Sequence, residues 1–255
     1  MSNQIKDPFF QLSKYEGTSA KYKFVDTYKL AARLQSMGYE ITRKVVGGSR
    51  KYQGYQKHLV FFSRPEWCRG DYKVELCLCN AHCGTHSLRF DLGIWRYICS
   101  NGLVVGDTFW AAPRIRHVGF TYDKLEQTLE TIKCEVPRLV ALIKRMRETR
   151  ATLDMTRVLV EAAAAARFPG TQKHDVDLWS FDASRRNEDL GEDLFTTFNR
   201  VQENVMRGGV KYWTTRRDKN GVARPVRRVA RAVKAVDSTL KLNKALWDAA
   251  AKLVA

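Results

Sequence analysis

The run Tyr72-Lys-Val-Glu-Leu-Cys-Leu-Cys79 decides the fold. It is rich in aromatic and aliphatic side chains, short for a helix, and followed by the turn-favouring stretch Asn80 to Thr85. Similar runs lie at Tyr39 to Val46, His58 to Ser63 and Ser87 to Leu92, set apart by Gly47-Gly48 and Arg64-Pro65-Glu66. Short apolar runs joined by close turns, with no long helix between them, predict an antiparallel meander. Ile94 to Val105 adds a further strand or irregular edge, with a turn predicted at Asn101-Gly102, a pair that accepts positive φ.

Helical spacing governs the flanks. Asp26 is placed to cap a helix whose Tyr28, Leu30, Ala31, Leu34 and Met37 form an apolar face, ended by Gly38. Beyond the strands, Tyr122, Leu125, Leu129, Ile132, Val136, Leu139, Ile143 and Met146 step by three and four. They predict a helix from Thr121 to Arg150 that Pro137 kinks rather than ends. A helix over Asp154 to Ala166 stops at Pro169-Gly170, a polar connection runs from Thr171 to Asn187, and Leu190, Leu194, Phe198, Val201 and Val205 mark another helix before Gly208-Gly209. The fold class is therefore α+β: an antiparallel β-meander packed by a long kinked helix, followed by a helical C-terminal region. Three parts are expected: a polar N-terminal arm (1–25), an α+β core (26–150), and a helical region (151–255) holding a basic loop and a basic amphipathic helix.

Charge supplies the functional signal. Between Met206 and Ala235 stand ten Lys or Arg residues (Arg207, Lys211, Arg216, Arg217, Lys219, Arg224, Arg227, Arg228, Arg231 and Lys234) against Asp218 alone, a net +9 within the +17 of the whole chain. Such concentrated charge repels itself on folding and is best explained by a polyanionic partner, of which nucleic acid is the commonest in a cell. A solvated basic face without a partner is the plainer alternative. Val226, Val229, Val233, Val236, Leu240, Trp247 and Val254 keep to one helical stripe, so an amphipathic helix is expected from Val226 onward, restarting at Asp237-Ser238. Arg224, Arg227, Arg228, Arg231, Lys234 and Lys241 then form a ridge on its outer side. The preceding polar loop, Lys211 to Gly221, sets Tyr212 and Trp213 among cations, as a platform for unstacked bases requires; Trp213 as a plug at a core edge is the competing reading.

A chain of 255 residues, 44% apolar, can bury a substantial core. It has no run of about 18 apolar residues to span a membrane and no apolar signal-peptide core, so a cytoplasmic protein with no membrane partner is expected, its six cysteines reduced. The sharpest metal candidate is the set Cys77, Cys79, His82, Cys83 and His86. Cys77 and Cys79 project to one side of a single strand, whereas a structural zinc site draws its second ligand pair from another element, so the expectation is core thiols, with no metal and no cofactor.

Several segments taken together carry a likeness to known proteins. These are Gly38-Tyr-Glu40, His58-Leu-Val-Phe-Phe62, Asn80-Ala-His-Cys-Gly-Thr85, Trp95-Arg-Tyr-Ile-Cys-Ser-Asn-Gly-Leu103 and Arg116-His-Val-Gly119, with Phe198-Asn-Arg-Val-Gln-Glu-Asn204 and Asn243-Lys-Ala-Leu-Trp247. The chain resembles the phage/plasmid-like protein family, a group with a domain of unknown function found in bacteriophages, plasmids and prophage islands. The resemblance implies a mobile genetic element in a bacterial host and singles out Arg96, Asn101 and His117. The family commonly has an acid where Cys83 stands here.

His117 as a general base lacks an evident orienting acid; Arg96, Arg116 and His117 as phosphate contacts agree with the overall charge. The acids Asp175, Asp177 and Asp182 are loosely grouped, and Glu188, Asp189, Glu192 and Asp193 suit a helix N-terminus. Phosphate-binding Gly loops, nucleophile elbows and His-Glu-x-x-His helices are absent from the sequence. Asn199, Gln202 and Glu203 share one helical face, suited to fixing the basic segment that follows. The leading expectation is a non-enzymatic nucleic-acid-binding protein, for single-stranded DNA, with a homo-oligomer admitted. The architecture is similar to the core of single-strand annealing recombination proteins of the Rad-fifty-two type. In that case Arg43, Lys44, Arg50, Lys51 and Lys57, with Tyr52 and Tyr55 between them, join the C-terminal basic residues on a phosphate track. The alternatives are a counter-defence protein that binds a host nuclease, and a metal-dependent nuclease.

Overall fold

A computed structural model describes residues 7–97, 103–105, 115–170 and 175–255. The chain divides into two compact units, Met1–Pro137 and Arg138–Ala255, so the boundary falls inside a helix rather than at the expected residue 150.

In the first unit, α1 (Thr27–Ser36) opens where the Asp26 carboxylate accepts the Lys29 amide at 3.0 Å, and the chain turns away at Gly38, φ +86°. There follow β1 (Glu40–Val46), β2 (His58–Ser63), the two-residue β3 (Cys68–Arg69), β4 (Tyr72–Asn80), β5 (Arg89–Arg96) and β6 (Leu103–Val105). They form an antiparallel sheet in the order β1-β2-β4-β5-β6, with β3 paired to the start of β4. This is the expected meander. The predicted turn at Asn101-Gly102 lies outside the described residues, as does Cys99. β1 carries a bulge: Ile41 pairs with Phe62 and Arg43 with Phe61, leaving Thr42 as the extra residue, whose hydroxyl lies 2.7 Å from a Glu75 carboxylate oxygen.

The pleat sorts the sheet into two unlike faces. Val60, Phe62, Leu76, Leu78, Phe90, Leu92 and Ile94 occupy one of them, all buried, and with Leu30 and Leu34 of α1 and Leu125, Leu129 and Ile132 of the next helix they make the core of the unit. The other face is charged. Glu75 is 1% exposed and paired with Arg43 (3.0 Å) and Lys73 (3.4 Å), while Asp91, fully buried, pairs with Arg89 at 2.8 Å. Cys77 stands directly across from Asp91, and burial, with that carboxylate second, raises its thiol pKa well above the ordinary value.

α2 (Tyr122–Glu148) runs through Pro137, where the division between units falls. In the second unit α3 (Leu153–Arg167), α4 (Leu194–Arg207) and α5 (Val236–Lys252) bury Leu159, Val160, Phe198, Val201, Leu246 and Trp247, with Phe198 edge-on to Trp247 at 5.5 Å. α4 starts later than predicted. Asp193 caps it by accepting the Thr196 amide at 2.9 Å, and Leu190 sits outside, 64% exposed.

The expected helix from Val226 is corrected. Lys211–Arg217 and Ala223–Val229 are strands, β7 and β8, paired antiparallel from Lys211↔Val229 to Arg217↔Ala223; only from Val236 is the chain helical. Pairing with Lys211–Arg217 gives the reason. Pro225, which stands just ahead of the expected helix, fits the ribbon because its missing N–H costs little on two strands. Tyr212, Trp213, Thr214 and Thr215 favour the extended partner strand, so the basic loop is half strand and half turn.

Candidate nucleic-acid interface

Rebuilt as a ribbon, the basic segment presents two faces instead of one ridge. Residues directly opposite share a face, so Tyr212, Thr214 and Arg216 lie with Arg228, Val226 and Arg224, and Lys211, Trp213, Thr215 and Arg217 lie with Val229, Arg227, Pro225 and Ala223. Arg227 and Arg228, expected side by side, point oppositely. Only Tyr212 and Val226 are half-buried; the other residues of both strands are exposed, Trp213 by 47%. Tyr212 packs on Phe168, ring centroids 4.5 Å apart, which marks its face as the inner one near the root. The Trp213 face is open.

The turn consumes the one acid. Asp218 Oδ1 accepts the Asn220 and Val222 amides, each at 3.0 Å, its backbone N–H donates to Val222 O, and Gly221 closes the turn at φ +79°. Its second oxygen lies 3.3 Å from Arg224. Among the described residues no carboxylate pairs with Lys211, Arg216, Arg217, Lys219, Arg227 or Arg228.

A lone hairpin is marginal in water, so its root must be held. Ala230 N–H donates to Val210 O at 2.8 Å, Gly209 N–H to Ala230 O at 2.9 Å, and Val233 N–H to Met206 O at 2.8 Å. Arg167 donates to Arg231 O, and Asp177 N–H to Lys211 O at 3.0 Å, extending the ribbon root by the Val176↔Tyr212 bridge. The buried polar face of α4 completes the support. Asn204 donates to Phe181 O and Ala183 O, both at 2.8 Å, and accepts from Arg185, which reaches on to Gly208 O at 3.0 Å. Glu203 takes Arg186 and Arg207, Arg200 holds Asp182 at 2.9 Å, and Gln202 donates to Asn243. This face therefore fixes the segment before α4, reaches α5 through Gln202, and meets the start of the basic segment through Arg185 and Arg207.

Gly208 is the tightest point of the root. At φ +78° a Cβ there would lie 2.5 Å from Ala230 O and 2.7 Å from Arg231 C, whereas at Gly209, φ +92°, the nearest atom is an Arg185 nitrogen at 3.8 Å. Both Ala substitutions carry the left-handed backbone penalty of about 1–2 kcal/mol, but only Gly208→Ala also collides with backbone. Denaturant unfolding is expected to show a loss of ~3 kcal/mol or more for Gly208→Ala and about half that for Gly209→Ala. Equal losses would show that the root can shift.

The other expected contacts are dispersed. Arg43 is spent on Glu75 and lies over the Phe61 ring at 3.4 Å, Lys44 lies over Phe9 at 3.7 Å, and Lys57 is buried. Tyr52 and Tyr55 pack edge-on to Tyr15, leaving Lys44, Arg50 and Lys51 as the exposed cations of that hairpin, with Lys51 5.1 Å above the Tyr52 ring. Arg96 is 5% exposed, 3.7 Å from Asp71, and His117 is 4% exposed, so neither lies open on a phosphate track. Arg116, by contrast, is exposed. Arg207 is 2.8 Å from Glu203, and Arg231 and Lys234 are exposed in the connection to α5.

The expected metal candidates point apart. Cys77 and Cys79 lie on the charged side of β4, while His82 turns to the N-terminal segment, 3.0 Å from Pro8 O. Among the described residues no three His, Cys, Asp or Glu side chains converge as a metal site would require. Sequence reasoning missed the buried Glu75 and Asp91. Each interrupts an apolar pattern, the one signal that could have found them.

No solved structure matches this chain. Two proteins of Escherichia coli (strain K12) resemble it along nearly its whole length: UPF0380 protein YafZ, 32% identical, and UPF0380 protein YfjQ, 30% identical, each over 96% of this chain and 87% of its own. The family model described as a domain of unknown function (DUF932) matches residues 14–247, which takes in the sheet, α1 to α4, the basic ribbon and most of α5, and to that family the chain belongs.

Proposed function

We propose that this protein binds single-stranded nucleic acid, DNA in the first place, without chemical turnover, through the outer face of the β7–β8 ribbon. The observation that carries the reading is the pairing of exposed Trp213 with Arg227, flanked by Lys211 and Arg217, on a ribbon whose sole carboxylate is spent in its own turn. Cations track phosphates, and an exposed indole offers a π-face to any unpaired base. The ribbon contributes almost nothing to a core, so its apolar and cationic residues are explained by an external partner. Seven residues per strand extend roughly 20 Å, room for a few nucleotides. A setting in a phage or plasmid, where single strands arise during transfer and replication, suits the family resemblance.

The test is fluorescence anisotropy with labelled oligothymidine and with duplex DNA. Trp213→Ala is expected to weaken oligothymidine binding by about five- to a hundredfold, the worth of one stacked base, while duplex binding changes by less than about twofold. Equal losses on both ligands, or no binding by the parent protein at low salt, would sink the proposal.

A further inference from the structure

We propose that a cleft beside the first turns of α2, in the first unit, binds a phosphomonoester of nucleotide size. This site is separate from the ribbon and does not rest on that reading. The cleft has a volume of about 480 Å³, within the range of small-ligand pockets. Lys124, Gln127, Thr128 and Thr131 line it from one side, their three- and four-residue spacing placing them on a single face of α2; Arg116 faces them from the preceding loop, with Ile115 and Val118 as its apolar part.

Two observations favour a dianionic ligand. Among the described residues no acid lines the cleft: Glu126 is paired with Arg33, Glu130 with Lys133, and Glu135, a turn further along the same face, lies outside the lining and is engaged. Arg116 has no carboxylate partner among the described residues, so Arg116 and Lys124 present two cations to one concavity, a local positive potential that favours a doubly charged anion. A phosphomonoester carries a charge of about −1.5 to −2 at pH 7, matching the pair, whereas an internal phosphodiester carries −1.

The loop is also built to hold Arg116 in place. Ile115 N–H donates to Leu88 O at 2.9 Å on one side of it. On the other, the His117 ring stacks on Tyr22 with centroids 4.4 Å apart, and its Nδ1–H donates to Lys23 O at 3.1 Å. Lys124 Nζ donates to Gly119 O at 3.0 Å, which ties the loop to the helix and sets the ammonium at the cleft. His117 thus anchors the loop that carries Arg116. Ile115 and Val118 supply an apolar wall for a base or sugar.

Calorimetric titration of the full chain with deoxyadenosine monophosphate, inorganic phosphate and deoxyadenosine tests this. The two phosphates are expected to bind saturably and the nucleoside not at all. R116Q/K124Q should lower affinity at least tenfold with an unchanged far-ultraviolet spectrum, R116K/K124R should restore most of it, and W213A/R227Q on the ribbon should leave it as in the parent. Competition separates the sources of the phosphate: displacement of the mononucleotide by a 5′-phosphorylated oligothymidine points to a strand end, and its failure to displace points to a free nucleotide. Displacement equally by the 5′-hydroxyl strand, phosphate binding unaffected in R116Q/K124Q, or absence of saturable binding by either phosphate would overturn the assignment.

Discussion

Replacing Lys211, Arg217 and Arg227 of the outer ribbon face together with Gln is expected to lower affinity for single-stranded DNA by about thirtyfold at 200 mM salt and by about five hundredfold at 50 mM. Each phosphate contact on a single strand contributes roughly 0.7 to the slope of log affinity against log salt, so losing three removes close to 2 from that slope. The two concentrations therefore give different losses from one cause. None of these three side chains pairs with a carboxylate among the described residues, and all are exposed on the ribbon, so the substitution leaves the core and the root untouched. Binding isotherms at a series of salt concentrations check it. A loss of affinity with an unchanged slope would assign the three cations a structural part in the ribbon, and an unchanged affinity would move the interface to Arg50 and Lys51.

Acid should weaken the first unit well before it reaches the carboxylate range. Thr27 organises a buried network in which its hydroxyl donates to His58 Nε2 at 2.8 Å and accepts from Asn80 at 2.9 Å, while His58 Nδ1–H donates to Gln56 O and His82 Nε2–H to Pro8 O, both at 3.0 Å. Both rings are committed to the neutral form. Burial first, then the nearby His58, lowers the His82 pKa to about 3, and burial lowers that of His58 as well. The unfolded chain holds its imidazole near 6.5, so between pH 6.5 and 3 it binds more protons than the folded one, and stability falls as pH falls through that window. The loss from His82 alone is of order 4 kcal/mol by the lower limit, and the stabilisation is fully present above pH 6.5. Urea unfolding at pH 7 and pH 4.5 measures it, with H82Q expected to start less stable but to depend less on pH. A parent protein whose stability is flat across that interval would contradict the assignment.

Legibility in the sequence followed the range over which the deciding interactions act. The strands from His58 to Asn80 and the helix from Tyr122 are set by local apolar spacing, and both were read from it. Val226, Val229 and Val233 satisfy a helical template equally well, yet pairing with Lys211–Arg217 overrides it, and pairing is not a local property. Local clues did exist in Pro225, in Thr214-Thr215, and in the Asp218–Gly221 turn. For the candidate site, the charge window was legible in full, but whether Arg227 and Arg228 stand together or apart depends on a period of 2 against 3.6. Arg43, Arg96 and His117 looked available because sequence reports charge and not burial. Glu75 in an apolar run was the hint that the second face of the sheet is covered and that a nearby cation is already taken.

The bulge at Thr42 bears on how the molecule behaves in company. β1 closes one side of the sheet, and an unpaired strand with regular spacing offers its free amides and carbonyls to any passing strand. An extra residue breaks that spacing, because the register before Thr42 and the register after it cannot both match one straight newcomer. Lys44, a few positions along, adds a charge that a second copy would have to bring alongside its own. Concentrated solutions should therefore stay free of cross-β fibrils seeded at this edge, and any self-association of the protein is directed to surfaces other than its first strand.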